Sequence, residues 1–204
     1  MDLSHGILVA TSNKGKLKEI KQILSDVVHV EFLIPSSITA ENFDVEETGS
    51  TFKENALIKA QAYAEKFRYV TLADDSGLEV DYLRGAPGVM SARYAGVGAR
   101  DEDLCNKILK ELDGVPFEKR TARFKCVICL YDPKTQKHIF SEGVCEGHIA
   151  SKPSGSNGFG YDPIFIPEGF APRTIAEFPP EVKNSISHRG RALQALKEKL
   201  LHLK

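Results

Sequence analysis

Residues 7–16 read Ile-Leu-Val-Ala-Thr-Ser-Asn-Lys-Gly-Lys, and this stretch decides the fold class. Its first half (7–11) is a short apolar run, which predicts a buried strand. Residues 12–15 interrupt the run, and large aliphatic residues then recur at helical spacing, which predicts a helix over about 16–25. A second strand is predicted over 28–34. Strand, tight turn, helix and strand in this order are typical of an α/β fold.

The rest of the chain continues to alternate between helical and strand patterns. Residues 35–50 have no periodicity and are rich in acidic side chains, which predicts a surface loop. The later predicted segments are a helix over 51–67 with a capping box, a strand over 69–73, a helix capped by Asp101 and stopped by Gly114, a hairpin of 121–131 and 138–150, and a helix from about Ser187. No linker interrupts them, so we expect residues 1–204 to form one domain around a mixed sheet.

The overall charge argues against a nucleic-acid coat protein. The 204 residues include 27 Lys and Arg and 28 Asp and Glu, a net charge of −1, whereas a nucleic-acid coat needs a basic excess. The N-terminal residues have neither the basic nor the apolar segment of a secretory signal, and the apolar runs are too short to span a bilayer. We therefore expect a cytoplasmic protein without a nucleic-acid or membrane partner, in which a local cluster binds any anion.

Cys126 and Cys129 form a CxxC, a spacing found in zinc and redox sites. They lie inside the predicted strand 121–131, where positions three apart face opposite sides. Two ligands would not converge on one metal there, and no second CxxC follows. The sequence therefore favours buried thiols that pack as small apolar groups.

The turn formed by residues 11–16 is a candidate phosphate site. A helix N-terminus offers unpaired N–H groups and a partial positive charge, and this one adds hydroxyl, amide and lysine side chains. The glycine spacing differs from that of a Walker A loop. Taken alone, the segment leaves open a plain turn with solvated lysines.

Carboxylates form a second candidate site. The segment 74–77, Asp-Asp-Ser-Gly, follows the predicted strand 69–73, and ligands in open α/β sheets bind beyond the carboxyl ends of strands. If the strand stops there, one aspartate faces a cleft and the other anchors the turn. Glu47, in the acidic loop, is the expected partner of Asp75 around Mg²⁺. A hairpin turn and a solvated loop are the alternatives.

Two later segments are candidates for binding a nucleobase. Residues 158–163 read Gly-Phe-Gly-Tyr-Asp-Pro, and the glycines let the backbone approach a flat ligand on which Phe159 or Tyr161 would stack. The alternative is one aromatic ring tucked into the core. Ser187 predicts a helix N-cap followed by a His-Arg pair (188–189), and cations at that end indicate an anion or acceptor nearby. A solvated helix start is the alternative.

The order of these motifs resembles the inosine triphosphate pyrophosphatase family, the Ham1-like non-canonical purine triphosphate pyrophosphatases that include dITP/XTP pyrophosphatases. The motifs that carry the resemblance are Thr11-Ser-Asn-Lys-Gly-Lys16, Glu47-Thr-Gly49, Phe52-x-Glu54-Asn-Ala56, Ala73-Asp-Asp-Ser-Gly77, Gly85-Ala-Pro-Gly88, Ser91-Ala-Arg-Tyr94, Gly158-Phe-Gly-Tyr-Asp-Pro163 and Ser187-His-Arg-Gly190. They cover nearly the whole chain. The resemblance implies an elongated mixed β-sheet with helices on both sides, two lobes around a central cleft, and a homodimer.

The resemblance also implies an activity and a role for each motif. The implied activity is Mg²⁺-dependent hydrolysis of ITP, dITP and XTP to the monophosphate and pyrophosphate, which cleanses the nucleotide pool of deaminated purines. Asp75 is implied as the catalytic proton acceptor and, with Glu47, as a metal ligand. The implied substrate contacts are Thr11, Ser12, Asn13, Lys14, Gly15, Lys16, Lys59 (expected to face outward from the second helix), Ser76, Phe159, Gly160, Tyr161, Asp162, Lys183, His188 and Arg189.

Three other functions remain alternatives on the sequence alone. A Maf-type pyrophosphatase of pyrimidine triphosphates would share the lobed architecture, but the Ser-His-Arg and Phe-Gly-Tyr-Asp-Pro segments argue against it. A non-catalytic nucleotide-binding module would gain nothing from acids beside a triphosphate. A structural or interaction protein would contain five such sites in this order only by chance.

Overall fold

The computed structural model describes residues 1–25, 31–41 and 43–202. Its strands are β1 (Ile7–Val9), β2 (Phe32–Leu33), β3 (Val70–Val80), β4 (Thr121–Tyr131), β5 (His138–Ile149) and β6 (Phe165–Pro167). Its α-helices are α1 (Lys14–Leu24), α2 (Pro35–Ile38), α3 (Phe52–Phe67), α4 (Asp101–Glu111), α5 (Pro180–Ile186) and α6 (His188–Leu201). Short 3-10 helices lie at Asp81–Leu83, Gly88–Arg93, Phe117–Lys119, Asp162–Ile164 and Ile175–Glu177.

The six strands form one mixed sheet in the order β2-β1-β3-β4-β5-β6. β1 is parallel to both β2 and β3, pairing Ile7 with Phe32 and with Val70. β6 is antiparallel to β5. Strands and helices alternate as the opening stretch predicted, so the α/β class with a mixed sheet is confirmed.

The chain divides into two compact units, each with its own apolar core. Unit 1 comprises Met1–Asp75, Cys126–Gly143 and Ala192–Lys204, and unit 2 comprises Ser76–Lys125 and Val144–Arg191. In unit 1, apolar side chains of β1, β3 and β4 pack with those of α1 and α6. In unit 2, α4 packs with β3, β4 and β5. The division falls within β3, between Asp75 and Ser76.

Several predicted boundaries in unit 1 need correction. α1 begins at Lys14 rather than near residue 16, because Asn13 caps it. Only the last part of the strand predicted over 28–34 can be compared, because residues 26–30 lie outside the described part of the chain. There the structure has the short strand β2, Phe32–Leu33. The predicted loop over 35–50 begins with α2, which has a proline in its first turn, where the missing N–H costs nothing.

The most important correction concerns β3. The strand was expected to end at about residue 73, but it continues to Val80 and carries both aspartates in its interior. Asp101 is also not the cap of α4: it is the first helical residue, and Arg100 precedes it as the N-cap. The predicted hairpin of β4 and β5 is confirmed.

The four cysteines are free and buried, as the strand pattern predicted. No group of three or more His, Cys, Asp and Glu side chains suited to a metal occurs among the described residues. In the same part of the chain, the helices are all too short or too polar to cross a bilayer.

Candidate active site

The turn before α1 is held by its own side chains. Asn13 Oδ1 accepts hydrogen bonds from the N–H groups of Gly15 (2.8 Å) and Lys16 (3.2 Å), and Thr11 Oγ1 accepts one from the Asn13 N–H (3.1 Å). The N–H groups of Gly15 and Lys16, which were expected to be available to a phosphate, are therefore already paired. The turn still presents the exposed side chains of Ser12 and Lys14.

A cavity of about 310 Å³ adjoins this turn within unit 1. Residues 11–14 form part of its wall, and the loop after α2 forms another part with Glu41 and Phe43. The Tyr63 hydroxyl donates a 2.8 Å hydrogen bond to the Phe43 carbonyl, which fixes this loop against α3. The predicted phosphate turn thus borders an open cavity.

The two adjacent aspartates of β3 have different surroundings, as expected for neighbours on a strand. Asp74 is 2% exposed, and its Oδ2 lies 3.1 Å from Lys16 Nζ and 4.0 Å from the Cys126 thiol. Asp75 is 7% exposed, and its carboxyl interacts with Glu47, Asn55 and Lys59. The structure therefore brings Asp75 close to Glu47, while Asp74 is paired with the phosphate turn.

The Asp75 carboxyl is poised to hold a proton or a cation. Burial and the negative charge of Glu47 raise its pKa to about 6, against the combined effect of the Asn55 hydrogen bond and the positive charges of Lys59 and Lys16. A carboxyl with this pKa is a stronger base than an ordinary aspartate.

Lys59 is the cation at the centre of this acidic group. Its ammonium forms an ion pair with Glu47 and donates a 3.1 Å hydrogen bond to the Asp74 carbonyl. Burial lowers the pKa of Lys59, but the charges of Asp74, Glu47 and Asp75 outweigh burial and raise it above its ordinary value. The expectation that Lys59 faces outward is wrong, because its side chain is only 16% exposed.

The donor set fits a magnesium ion. Mg²⁺ is usually held by one or two carboxylates together with water and substrate phosphates, rather than by a complete protein cage. Glu47 and Asp75 supply two hard carboxylates whose charges interact. Glu47 and Asp75 would hold the ion, and the remaining ligands would come from water and substrate.

Unit 2 contains a second cluster, built around Asp162. Asp162 Oδ2 accepts hydrogen bonds from the Phe159 N–H and from Lys183 Nζ, both at 2.8 Å, and all but a few per cent of each charged side chain is buried. Gly158 has φ +82°, and a Cβ there would lie 2.0 Å from Asp162 Oδ2. This position therefore requires glycine, which explains the first glycine of the predicted base-binding loop.

The two aromatic rings of this loop have different roles. Tyr161 is 4% exposed, packs in the unit 2 core and donates a 2.7 Å hydrogen bond to the Ser91 carbonyl. Phe159 instead faces two cations, with Lys183 Nζ 4.5 Å and Arg189 Cζ 5.5 Å from its ring centroid. Tyr161 is therefore a core residue, and Phe159 remains the candidate for stacking on a base.

The His-Arg pair opens α6, and the predicted Ser187 cap is present. Ser187 Oγ accepts a 3.1 Å hydrogen bond from the Gly190 N–H. The His188 ring stacks on Phe124 with centroids 4.6 Å apart. Arg189 is 2% exposed, and its Nη2 donates a 2.9 Å hydrogen bond to Ser76 Oγ. The alternative of a solvated helix start is therefore wrong.

The structure thus gathers the predicted residues into two groups, one in each unit. Residues 11–16, Glu47, Lys59 and Asp75 lie in unit 1, and the others lie in unit 2. Sequence reasoning missed supporting residues in both: Asn55 beside Asp75, and Asp101, whose Oδ2 accepts the Gly160 N–H at 2.7 Å. Asn55 had a detectable signal, since it is a polar residue on the apolar face of α3.

Comparison with known proteins gives one consistent family. A family model described as the Ham1 family matches residues 7–199. A protein of Oceanobacillus iheyensis named dITP/XTP pyrophosphatase is 49% identical over 199 residues, covering 96% of this chain and 98% of that protein. A protein of the same name from Shouchella clausii is 50% identical over 192 residues, covering 94% of each chain.

Solved structures agree with this match. The structure of a HAM1 protein from Coxiella burnetii superposes with a TM-score of 0.86 at 43% identity, covering 96% of this chain and 98% of that one. The fold and the sequence therefore lead to the same family by separate comparisons.

Proposed function

Because the chain belongs to the Ham1 family, we propose that it hydrolyses non-canonical purine nucleoside triphosphates, namely ITP, dITP and XTP, to the monophosphate and pyrophosphate. The observation that carries the proposal is the meeting of Glu47 and Asp75 beside Lys59. A protein that only binds a polyanion has no use for two acids there, whereas a metal-assisted hydrolase needs them. The corresponding role is cleansing of the cytoplasmic nucleotide pool.

We assign the triphosphate to the unit 1 group. Lys16, Lys59 and the side chains of residues 11–14 supply positive charge and hydrogen-bond donors for phosphate oxygens. Mg²⁺ held by Glu47 and Asp75 would lower the pKa of a water molecule and neutralise charge on the departing pyrophosphate. Both lysines are anchored by acids, so they meet the substrate from fixed positions.

Asp75 is the base of the proposed reaction. Its raised pKa of about 6 suits it to accept the proton of the attacking water near neutral pH. The water oxygen forms a bond to the α-phosphorus, the bond between that phosphorus and the α–β bridging oxygen breaks, and pyrophosphate leaves with that oxygen. Lys59 stabilises the negative charge that develops on the phosphate oxygens, and Lys16 binds those oxygens throughout the reaction.

We assign the base to the unit 2 group. Hypoxanthine and xanthine present the acceptor O6, whereas adenine presents an amino group at that position. Arg189 can only donate hydrogen bonds, so adenine would place a buried donor against a donor. Phe159 supplies the ring on which the purine stacks.

A pyrophosphate-release assay tests the proposal. Wild-type protein is given ITP, XTP, ATP, GTP, dTTP and UTP in turn, with Mg²⁺ and with EDTA. We expect one pyrophosphate per monophosphate, only with Mg²⁺, and a kcat/KM for ITP at least about 100-fold above that for ATP. Light scattering measures the oligomeric state in parallel, where we propose a homodimer.

The alternatives predict other outcomes in the same assay. Preferred hydrolysis of dTTP and UTP would indicate a pyrimidine pyrophosphatase. Nucleotide binding without product would indicate a non-catalytic module. Release of orthophosphate would exclude cleavage between the α- and β-phosphates.

A further inference from the structure

Asn55 occupies an unusual place for an amide side chain. It lies in the first turn of α3, on the face that also buries Phe52 and Ala56, and is 1% exposed. A buried amide is costly unless both its donor and its acceptor are paired. Asn55 has a partner for each half of its amide, namely Gly49 and Asp75, which explains why an amide is present among apolar neighbours.

The acceptor half of the amide holds the loop that carries Glu47. Asn55 Oδ1 accepts a 2.7 Å hydrogen bond from the Gly49 N–H, two residues beyond Glu47. A Cβ at Gly49 would lie 2.6 Å from that oxygen and 2.7 Å from Glu54 Cβ. The loop thus approaches α3 as closely as a glycine allows, and the hydrogen bond fixes it there.

The donor half of the amide reaches β3, the strand that carries Asp75. The Asn55 side chain hydrogen-bonds the Asp75 carboxyl. Since Oδ1 accepts from Gly49, the group that donates to the carboxylate is the Nδ2 amino group. One side chain therefore joins two segments that are far apart in sequence.

This junction matters because the two acids repel each other. Glu47 and Asp75 are both acidic and interact with each other. Carboxylates that share a site repel each other, so the distance between them depends on the groups that hold their two segments. We propose that Asn55 is a positioning residue that holds Glu47 and Asp75 at the separation a divalent cation needs, before the cation binds. The inference rests on the proposed function, since it presupposes that these carboxylates bind Mg²⁺.

Few other side chains of this size can do the same. Aspartate would add a third negative charge, leucine would pair neither group, and serine is too short to reach both. Groups that orient metal ligands typically contribute 10–100-fold to metal affinity or activity.

The test measures metal binding directly, without turnover. Mn²⁺ is titrated into the metal-free full-length protein and followed by calorimetry and by its EPR signal. Asn55→Leu is compared with the wild type and with Glu54→Gln. Glu54 accepts hydrogen bonds from Ser50 and Thr51 in the same loop but is not among the groups that interact with Asp75. If Asn55→Leu does not fold, Asn55→Ser takes its place.

We expect the Asn55 variants to bind Mn²⁺ about 10–100-fold more weakly, and Glu54→Gln to bind it as the wild type does. The Mg²⁺ concentration for half-maximal hydrolysis should rise by the same factor, and excess Mg²⁺ should restore kcat to within about tenfold. A folded Asn55 variant with wild-type Mn²⁺ affinity would overturn the positioning role alone. A wild-type protein that binds no Mn²⁺ would overturn the metal site as well, so the two failures are distinguishable.

Discussion

Lys16 Nζ lies 3.1 Å from Asp74 Oδ2, and this ion pair joins the first turn of α1 to the middle of β3. Asp75, the next residue along the strand, hydrogen-bonds Asn55 and interacts more strongly with Glu47 and Lys59 than with Lys16. Two identical side chains, adjacent in sequence, therefore have different partners. In the proposed function, Asp74 holds a lysine for phosphate, and Asp75 is the base and a metal ligand. Replacing each in turn separates these roles.

Asp74→Asn is expected to act mainly on substrate binding. Without its charge partner, Lys16 is no longer held in place, and in the proposed function it contacts the phosphates in the ground state and the transition state alike. Such a loss raises KM and leaves kcat largely unchanged. We expect KM for ITP to rise about tenfold, a typical effect of losing one charged contact, as measured by steady-state kinetics at saturating Mg²⁺. A fall in kcat with unchanged KM would contradict the division of roles.

Asp75→Asn is expected to act mainly on turnover. The amide cannot accept the proton of the attacking water, and it is a poorer ligand for a hard cation. Losing a general base costs about 10²-fold or more in kcat, with only a modest loss of nucleotide binding measured by calorimetry. Near-normal turnover of this variant would remove Asp75 from the catalytic role.

Asp75→Asn should also stabilise the metal-free protein against unfolding. Because the pKa of Asp75 is about 6 in the folded state instead of 3.8, the protonated carboxyl favours folding. The protonated carboxyl therefore adds to the free energy of unfolding. This addition is fully present below about pH 4 and is lost as the pH rises through about 6. Above pH 7 we therefore expect Asp75→Asn to unfold with a free energy about 1–3 kcal/mol larger than the wild type.

Urea unfolding in EDTA at several pH values measures this difference. The difference in free energy of unfolding between Asp75→Asn and the wild type should vanish near pH 4, where the wild-type carboxyl is also neutral. Asp113→Asn, at an exposed position, is the matched control and should change little at any pH. A constant gain across the pH range would mean that ionisation of Asp75 is not its source.

Local chemistry made much of the fold predictable from the sequence. The apolar run of β1, the capping box of α3 and the Ser187 cap depend on neighbours within a few residues, and the structure contains all three. The continuation of β3 through Asp74 and Asp75 was not predictable in this way. Asp-Ser-Gly is ordinary turn chemistry, and only pairing with strands distant in sequence keeps it extended.

The candidate site shows the same limit. Lys59 was expected to face outward from α3, but its partners come from the loop at Glu47 and the strand at Asp74. Which aspartate faces which cation depends on the register of β3, which no local pattern encodes. Asn55 was a detectable exception to the apolar stripe, but its two partners were not.

Arg189 is expected to distinguish hypoxanthine from adenine. Arg189 is 2% exposed and is held by Ser76 Oγ at 2.9 Å, with its guanidinium near the Phe159 ring. A donor fixed in this way favours O6 of hypoxanthine over the amino group of adenine. Arg189→Ala should therefore lower the ratio of kcat/KM for ITP to that for ATP by at least about tenfold, because the mismatched buried donor is gone.

Arg191→Ala is the matched control for that measurement. Arg191 lies two residues further along α6, and its guanidinium donates to the Val144 carbonyl rather than to Ser76. Its removal should leave the ITP-to-ATP ratio unchanged. If Arg189→Ala reduces both substrates equally, the arginine contributes to binding without discriminating, and selection against adenine must come from another group of unit 2.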